Sequence, residues 1–256
     1  MSCSDKIKQM NILLTNDDGI DSKITRALFE KLSENHKVTL IAPKHDKSGQ
    51  AAAITLRSSV EIEKLDENIY SVNGTPADCV FMGLMAIMKE VPDIIVSGIN
   101  KGANMGDDVM HSGTLGAAFT GRKLKYPPIA SSISGKSFEH YESAVLSTEL
   151  MLNYVIENYS DEGHDGVVFN INIPNLPFNE LEGFSFTRLG SRGIPLAPEF
   201  DGDENKVSYK IGKSGEPNGD LTGTDFEAIM KKNVSVTPLF WDMTNLEKAR
   251  GKLPNA

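Results

Sequence analysis

Three short stretches of this 256-residue chain carry oxygen-bearing side chains and glycines beyond what a plain turn requires. They are Thr15-Asn16-Asp17-Asp18-Gly19, Pro43 followed by Ser48-Gly49, and Ser97-Gly98-Ile99-Asn100. Two adjacent carboxylates repel, and keeping both ionised in one cleft is costly without a counter-charge. A hard divalent cation relieves that cost, since it takes oxygen ligands from carboxylates, hydroxyls, amides and water. Asp17 and Asp18, with Ser48 and Asn100 adding neutral oxygens, make a candidate open shell with sites left for water and a phosphoryl oxygen. By itself D-D-G equally suits a turn, where Asp and Gly are favoured. Its place after the first strand, beside two other polar strand ends, favours the metal.

A second constellation runs from Gly98 through Gly102 and Gly106 to His111-Ser112-Gly113-Thr114. Glycines let backbone N–H groups approach a ligand closely, and a helix starting at 112–114 would add free donors and positive potential. Loop and helix start together form an anion cradle facing the carboxylate pair. Alone, the same residues describe a glycine loop ending in a serine cap. Asn16 stands where a phospho-aspartate route would need its nucleophile relative to Asp18. Asp17 could attack, but a metal-activated water is the more natural nucleophile. His111 lies near the cradle and is the candidate to protonate a leaving oxygen, although a lone histidine is more often structural. Neither a G-x-x-x-x-G-K-[ST] loop nor a G-x-S-x-G elbow occurs.

The elements that must position these residues alternate between short apolar strands and amphipathic helices. Residues 11–15, 38–42, 94–97 and 129–133 read as core strands, with a helix face of Ile24, Leu28 and Leu32 after the first. Residues 53–56 and 60–62 alternate as hairpin strands do, and 69–72 suits pairing with them. Thr75-Pro76-Ala77-Asp78 is a helix start, with Thr as cap, Pro at the first position and Asp completing a capping box. This β-α-β-α order predicts an α/β fold, a parallel sheet with helices on both faces. A long helix to about 158 and an apolar strand at 167–173 follow. From 174 to about 223 the pattern loosens into a hairpin-bearing arm. A short helix at Thr224-Asp225, a strand at 234–237 and a helix over 244–252 end the chain. The division expected is a catalytic core over 1–173 and an arm with a returning strand and helix over 174–256.

The chain has 26 basic and 35 acidic residues, a formal net charge of -9, whose field attracts neither nucleic acid nor an anionic membrane surface. An anionic substrate therefore needs a local reversal of sign, which a divalent cation provides. Two cysteines, Cys3 and Cys79, form no disulfide framework, and no run approaches the about 18 apolar residues of a membrane span. With a polar N-terminus lacking an apolar signal core, the expected location is the cytoplasm.

Several motifs resemble the SurE survival-protein family: I-L-L-T-N-D-D-G-I (12–20), A-P-x-x-x-x-S-G (42–49), N-G-T-P-A-D-C-V (73–80) and V-S-G-I-N-K-G-A-N-M-G-D-D-V-M-H-S-G-T-L-G-A-A (96–118). N-I-N-I-P (170–174) and V-S-V-T-P-L (234–239) extend the match in collinear order. The resemblance implies a Rossmann-like three-layer core with a C-terminal hairpin arm exchanged between subunits, hence a homodimer or homotetramer. It implies a divalent-metal phosphatase, a 5'-nucleotidase, acting on nucleoside monophosphates with one Mg²⁺ or Mn²⁺. Asp17, Asp18, Ser48 and Asn100 would hold the metal; Asn104, Ser112, Gly113 and Thr114 would contact phosphate. One departure is Ala51-Ala52-Ala53, where the family usually has polar residues, which leaves substrate specificity open. The competing expectation is a nucleotide- or sugar-phosphate-binding module without hydrolysis. Against it, no G-x-G-x-x-G follows the first strand, and a pure binder has little need of two carboxylates facing an anion.

Overall fold

A computed structural model describes residues 8–159, 164–200, 202, 207–211 and 214–244. Strand β1 (Asn11–Thr15) leads through helix α1 (Lys23–Ser33) to β2 (Lys37–Pro43). Then come β3 (Ile62–Asp66), β4 (Ile69–Val72), α2 (Pro76–Met82) and β5 (Ile94–Lys101). Helix α3 (Gly113–Thr120), β6 (Ile129–Ser134), α4 (Tyr141–Asn158) and β7 (Val168–Pro174) follow. Beyond them lie β8 (Gly183–Phe186), β9 (Ser191–Arg192), β10 (Glu199–Phe200), β11 (Tyr209–Lys210) and β12 (Pro217–Asn218). Helix α5 (Asp225–Met230) and β13 (Asn233–Leu239) close the described chain. The helix expected over 244–252 falls, from 245 onward, outside the described residues.

Among the described residues nine strands form one sheet in the order β3-β4-β2-β1-β5-β6-β7-β13-β8. The stretch β4-β2-β1-β5-β6-β7 is parallel throughout. Taken in chain order these strands are third, second, first, fourth, fifth and sixth, the doubly wound Rossmann arrangement. The expected parallel sheet thus holds for the core, and the flanks depart from it. Strand β3 is antiparallel to β4, and β13 is antiparallel to β7 with β8 parallel beside it. Both faces of the core strands are covered, which is why they read as continuous apolar runs. Along β1 the pleat sends Ile12 and Leu14 to the side of α1 and α4, with Leu28, Leu32 and Leu152, and Leu13 to the side of α2 and α3, with Cys79, Val80 and Ala117. The order reverses between β1 and β5, so a crevice opens beyond their carboxyl ends.

Residues 53–56 do not form the expected hairpin strand, because their polar groups serve a helix cap instead. Thr75 and Asp78 make the reciprocal capping box at the start of α2. The Asp78 carboxylate also accepts from Thr55 N (2.8 Å) and Thr55 Oγ1 (2.7 Å), while Thr75 Oγ1 donates to Ala53 O at 2.6 Å. With these groups taken, 53–55 has little left to offer a ladder. Burial pushes the Asp78 carboxyl up, but the bonds from Thr55 and Thr75 outweigh it and hold it below the ordinary value. That contribution to stability is present at neutral pH and is lost as the pH falls through the depressed folded value.

The loose stretch after β7 is only partly an arm. Strand β8 joins the main sheet, while β9 pairs with β12 and β10 with β11 as two antiparallel ladders of one hairpin. Its apolar side chains stand in solvent, Ile194 and Ile211 almost wholly. Its root is tied down: wholly buried Asp225 accepts from Gly106 N (2.7 Å) and Gly190 N (2.9 Å), and Asp107 accepts from Ser191 Oγ at 3.2 Å. Asp108 forms an ion pair with Arg192.

Asp78→Ala should lower stability by about 2–3 kcal/mol in chemical denaturation, because it removes a cap and strands the donors of Thr55 and Thr75. A loss below about 0.5 kcal/mol would show that the cap does not organise this segment.

Candidate active site

The loop after β1 is shaped by Asn16. Its Nδ2 donates to Gly19 O and Thr25 Oγ1, both at 2.8 Å, and its Oδ1 accepts from Gly19 N at 3.2 Å. Asn16 is therefore a structural residue of the turn, and the two carboxylates behind it are presented beyond the sheet. Lys47 N donates to Asp17 O at 2.8 Å, which lays the loop after β2 against the same turn.

Asp17 is only 3% exposed. Its Oδ1 accepts from Thr114 Oγ1 at 2.8 Å, across 97 residues of sequence, and the Thr114 backbone N–H also faces it. Gly113 lies so close that a Cβ there would sit 3.0 Å from Asp17 Oδ2, so glycine is what lets α3 approach the acid. Burial pushes the Asp17 carboxyl up to about 6; the Thr114 bonds pull it down and the charge of Asp18 pushes it further up. Asp18 is half-buried and accepts from Lys101 N at 3.2 Å. Its carboxyl is also raised, chiefly by burial, against the pull of Lys101 and with a push from Asp46.

The neutral oxygens lie on the loops next to this pair, one residue from Lys101 and one from Lys47, whose N–H groups bond Asp18 and the Asp17 carbonyl. Asn100, at the end of β5, donates Nδ2 to Gly102 O at 2.7 Å, which leaves its amide oxygen available. Ser48 is exposed, and both its N–H (2.8 Å) and its hydroxyl (2.7 Å) donate to Asp46 Oδ1. A hydroxyl that donates in this way keeps lone pairs for a cation. Bonds from Ser48 hold the Asp46 carboxyl below its ordinary value. No cluster of three or more His, Cys, Asp or Glu side chains suited to a metal occurs among the described residues. An ion here would draw on Asp17, Asp18, Asn100 and Ser48, an all-oxygen set of the kind hard divalent ions take. Burial raises the Asp17 carboxyl and, among the described residues, no cationic side chain acts to lower it, which fits such a site.

The cradle residues divide in two. Gly113 and Thr114 open α3, and their N–H groups have no acceptor inside the helix. Ser112 is its cap, with Oγ accepting from Leu115 N at 3.1 Å, so that hydroxyl is engaged. The Thr114 hydroxyl is likewise committed to Asp17. Asn104 is half-buried and donates Nδ2 to Ser132 Oγ (2.8 Å) and Thr114 Oγ1 (3.4 Å). His111 is exposed at the end of the 3-10 segment Gly106–His111, and its carbonyl accepts from Ala51 N at 3.1 Å. Sequence reasoning did not single out Asp46, Lys101, Ser132 or Asp225. Lys101 falls inside the glycine-rich motif after β5, but nothing local indicates that it faces a carboxylate 83 residues away.

Fold and site together define a Rossmann-like α/β protein with a carboxylate pair at the topological switch point, one acid of which is bonded to a helix N-terminus. The Survival protein SurE family model matches residues 12–194, and the chain belongs to that family. It is 40% identical to the 5'-nucleotidase SurE of Legionella pneumophila (strain Corby) over 238 residues, 92% of this chain and 93% of that protein. Against the 5'-nucleotidase SurE of Pseudomonas aeruginosa (strain LESB58) the identity is 39%, over 92% and 94% of the two chains. The crystal structure of the SurE protein from Aquifex aeolicus superposes with a TM-score of 0.80 at 36% identity, covering 92% of this chain and 95% of that one.

Because the Asp17 carboxyl rises from 3.8 to about 6, the folded metal-free protein holds a proton in that window that the unfolded chain has released. Its stability therefore falls as the pH rises through the window, and a cation that displaces the proton restores it. Added Mg²⁺ or Mn²⁺ should raise the thermal midpoint at a pH of about 7.5 and much less at about 5. Equal shifts at both values, or none at the higher, would count against a metal at Asp17.

Proposed function

We propose that this chain is a divalent-metal-dependent 5'-nucleotidase, a phosphoric monoester hydrolase that releases phosphate from nucleoside monophosphates. The observation that carries the reading is the pair Asp17 and Asp18, buried and half-buried, with Asp17 bonded directly to Thr114 at the N-terminus of α3. The printed names of the Legionella and Pseudomonas relatives support the substrate class.

Asp17, Asp18, Ser48 and Asn100 would hold one Mg²⁺ or Mn²⁺. When bound, such an ion supplies Lewis acidity at a phosphoryl oxygen and acidifies water at neutral pH. The protein's own part is to position and to balance charge. Thr114 fixes the orientation of Asp17 through its hydroxyl. The N–H of Gly113 and the positive end of α3 would favour the anionic phosphoryl group, and the Asn104 amide would donate to it. Its long bond to Thr114 is the one a phosphoryl oxygen would displace. His111, exposed beside the start of α3, is the residue assigned to protonate the leaving oxygen.

The solvent-exposed apolar side chains of the arm support self-association, as homodimer or homotetramer, since a lone chain gains nothing from Ile194 and Ile211 in water. No helix among the described residues is long and apolar enough to cross a membrane, and the reading keeps the cytoplasmic location expected from the sequence.

Phosphate release from nucleoside monophosphates should vanish with EDTA and return with Mg²⁺ or Mn²⁺. Asp17→Asn and Asp18→Asn should each lower kcat/KM by about a hundredfold or more in folded protein. Full activity in both variants would remove the carboxylate pair from the mechanism. Nucleotide binding without release, in metal, would leave only the binding-module reading.

A further inference from the structure

Strand β7 carries two asparagines, Asn170 and Asn172, that are wholly buried in the middle of an apolar sheet. They alternate with Ile171 and Ile173 and so share one face of the strand. An amide buried there is costly unless its hydrogen bonds are made. Among the described residues, every side-chain bond the two make goes to one residue, on the loop after β5. Asn170 Nδ2 donates to Asn104 O at 2.8 Å, and Asn172 Nδ2 donates to the same oxygen at 3.0 Å. Asn104 N donates to Asn172 Oδ1 at 2.8 Å. Asn172 thus meets both backbone groups of residue 104, as a neighbouring strand would. Asn170 adds a second donor while its own Oδ1 is left buried without a partner. An apolar side chain would avoid that penalty, so a role in placing residue 104 accounts for the amide better than core packing does.

The need for such a clamp follows from the loop itself. Gly102 and Gly106 flank Asn104, both at positive φ, and a segment hinged on two glycines does not define its own conformation. With its backbone held, Asn104 directs Nδ2 to Ser132 Oγ and Thr114 Oγ1, and Thr114 in turn holds Asp17.

We infer that Asn170 and Asn172 are positioning residues that clamp the backbone of Asn104 and so present its amide to the phosphoryl group. The inference rests on the phosphate-contacting role proposed above for Asn104. It also accounts for the N-I-N-I-P motif at 170–174, whose asparagines set the geometry of a loop that lies 66 and 68 residues away in sequence.

The test compares Asn104→Ala, Asn170→Ala, Asn172→Ala and the double variant Asn104→Ala/Asn172→Ala in metal-loaded protein. KM and kcat for a nucleoside monophosphate and the inhibition constant of inorganic phosphate are measured, at a temperature where unfolding curves show each variant folded. Asn172→Ala should raise KM and the phosphate inhibition constant about five- to tenfold, with kcat changed less. Asn170→Ala should act in the same direction but more weakly. The double variant should bind phosphate no worse than Asn104→Ala alone, because the clamp acts only through that residue. Should Asn172→Ala not fold, Asn172→Ser and Asn170→Ala carry the same comparison. A lowered thermal midpoint with unchanged phosphate inhibition, or additive losses in the double variant, would make the asparagines structural only and overturn the inference. If Asn104→Ala weakens phosphate while both strand variants do not, the clamp alone fails. If Asn104→Ala itself leaves phosphate inhibition unchanged, the role of Asn104 fails and the clamp falls with it.

Discussion

Burying one carboxylate beside another raises free energy unless donors or a cation face both, and every element around Asp17 answers to that constraint. The chain places Asp17 at the end of a central parallel strand, where the covered sheet leaves almost no route for water. Thr114, the adjacent helix start and the glycine at 113 all come close because the acid needs donors there. Asp18 is served differently, by Lys101 from the far side of the crevice. The two acids are neighbours in sequence, yet their environments are unequal, with one enclosed and the other partly wet.

Much of this was legible in the residues. The core strands stood out as apolar runs because both faces are covered, and the Thr75 to Asp78 cap was readable because capping chemistry is local. The polar strand ends were legible for a topological reason: in a doubly wound sheet they must converge at the carboxyl edge. What escaped was long-range or dual in use. Thr55 looked like part of a hairpin strand, but its donors are spent on Asp78. The parallel pairing of β8 with β13 joins segments about fifty residues apart and leaves no local trace. Asp46 gave no sign because its importance comes from the fold of one loop, which turns Ser48 onto it.

Asn170 and Asn172 show a signal that was present but unread. A strand buried on both faces has no use for polar alternation, so N-I-N-I within such a strand marks a face with polar business. The same reasoning fits Asn16, whose amide binds Gly19 and Thr25 instead of reaching the crevice. Three asparagines near the site therefore act as backbone scaffolding, each replacing a partner that regular secondary structure does not supply at that point.

The hairpin arm is fastened at its root, where Asp225 and Asp107 take hold of Gly190 and Ser191 beside the loop that begins at Gly106. From that fastening outward, β9 pairs with β12 and β10 with β11, and neither ladder joins the strands that carry the acids. The tip can accordingly lengthen, shorten or exchange its apolar residues over evolutionary time without disturbing the crevice. The root has no such latitude, since a change there pulls on the start of the loop. Change in the arm is thus channelled outward, away from the acids, while its root stays tied to Gly106 through Asp225.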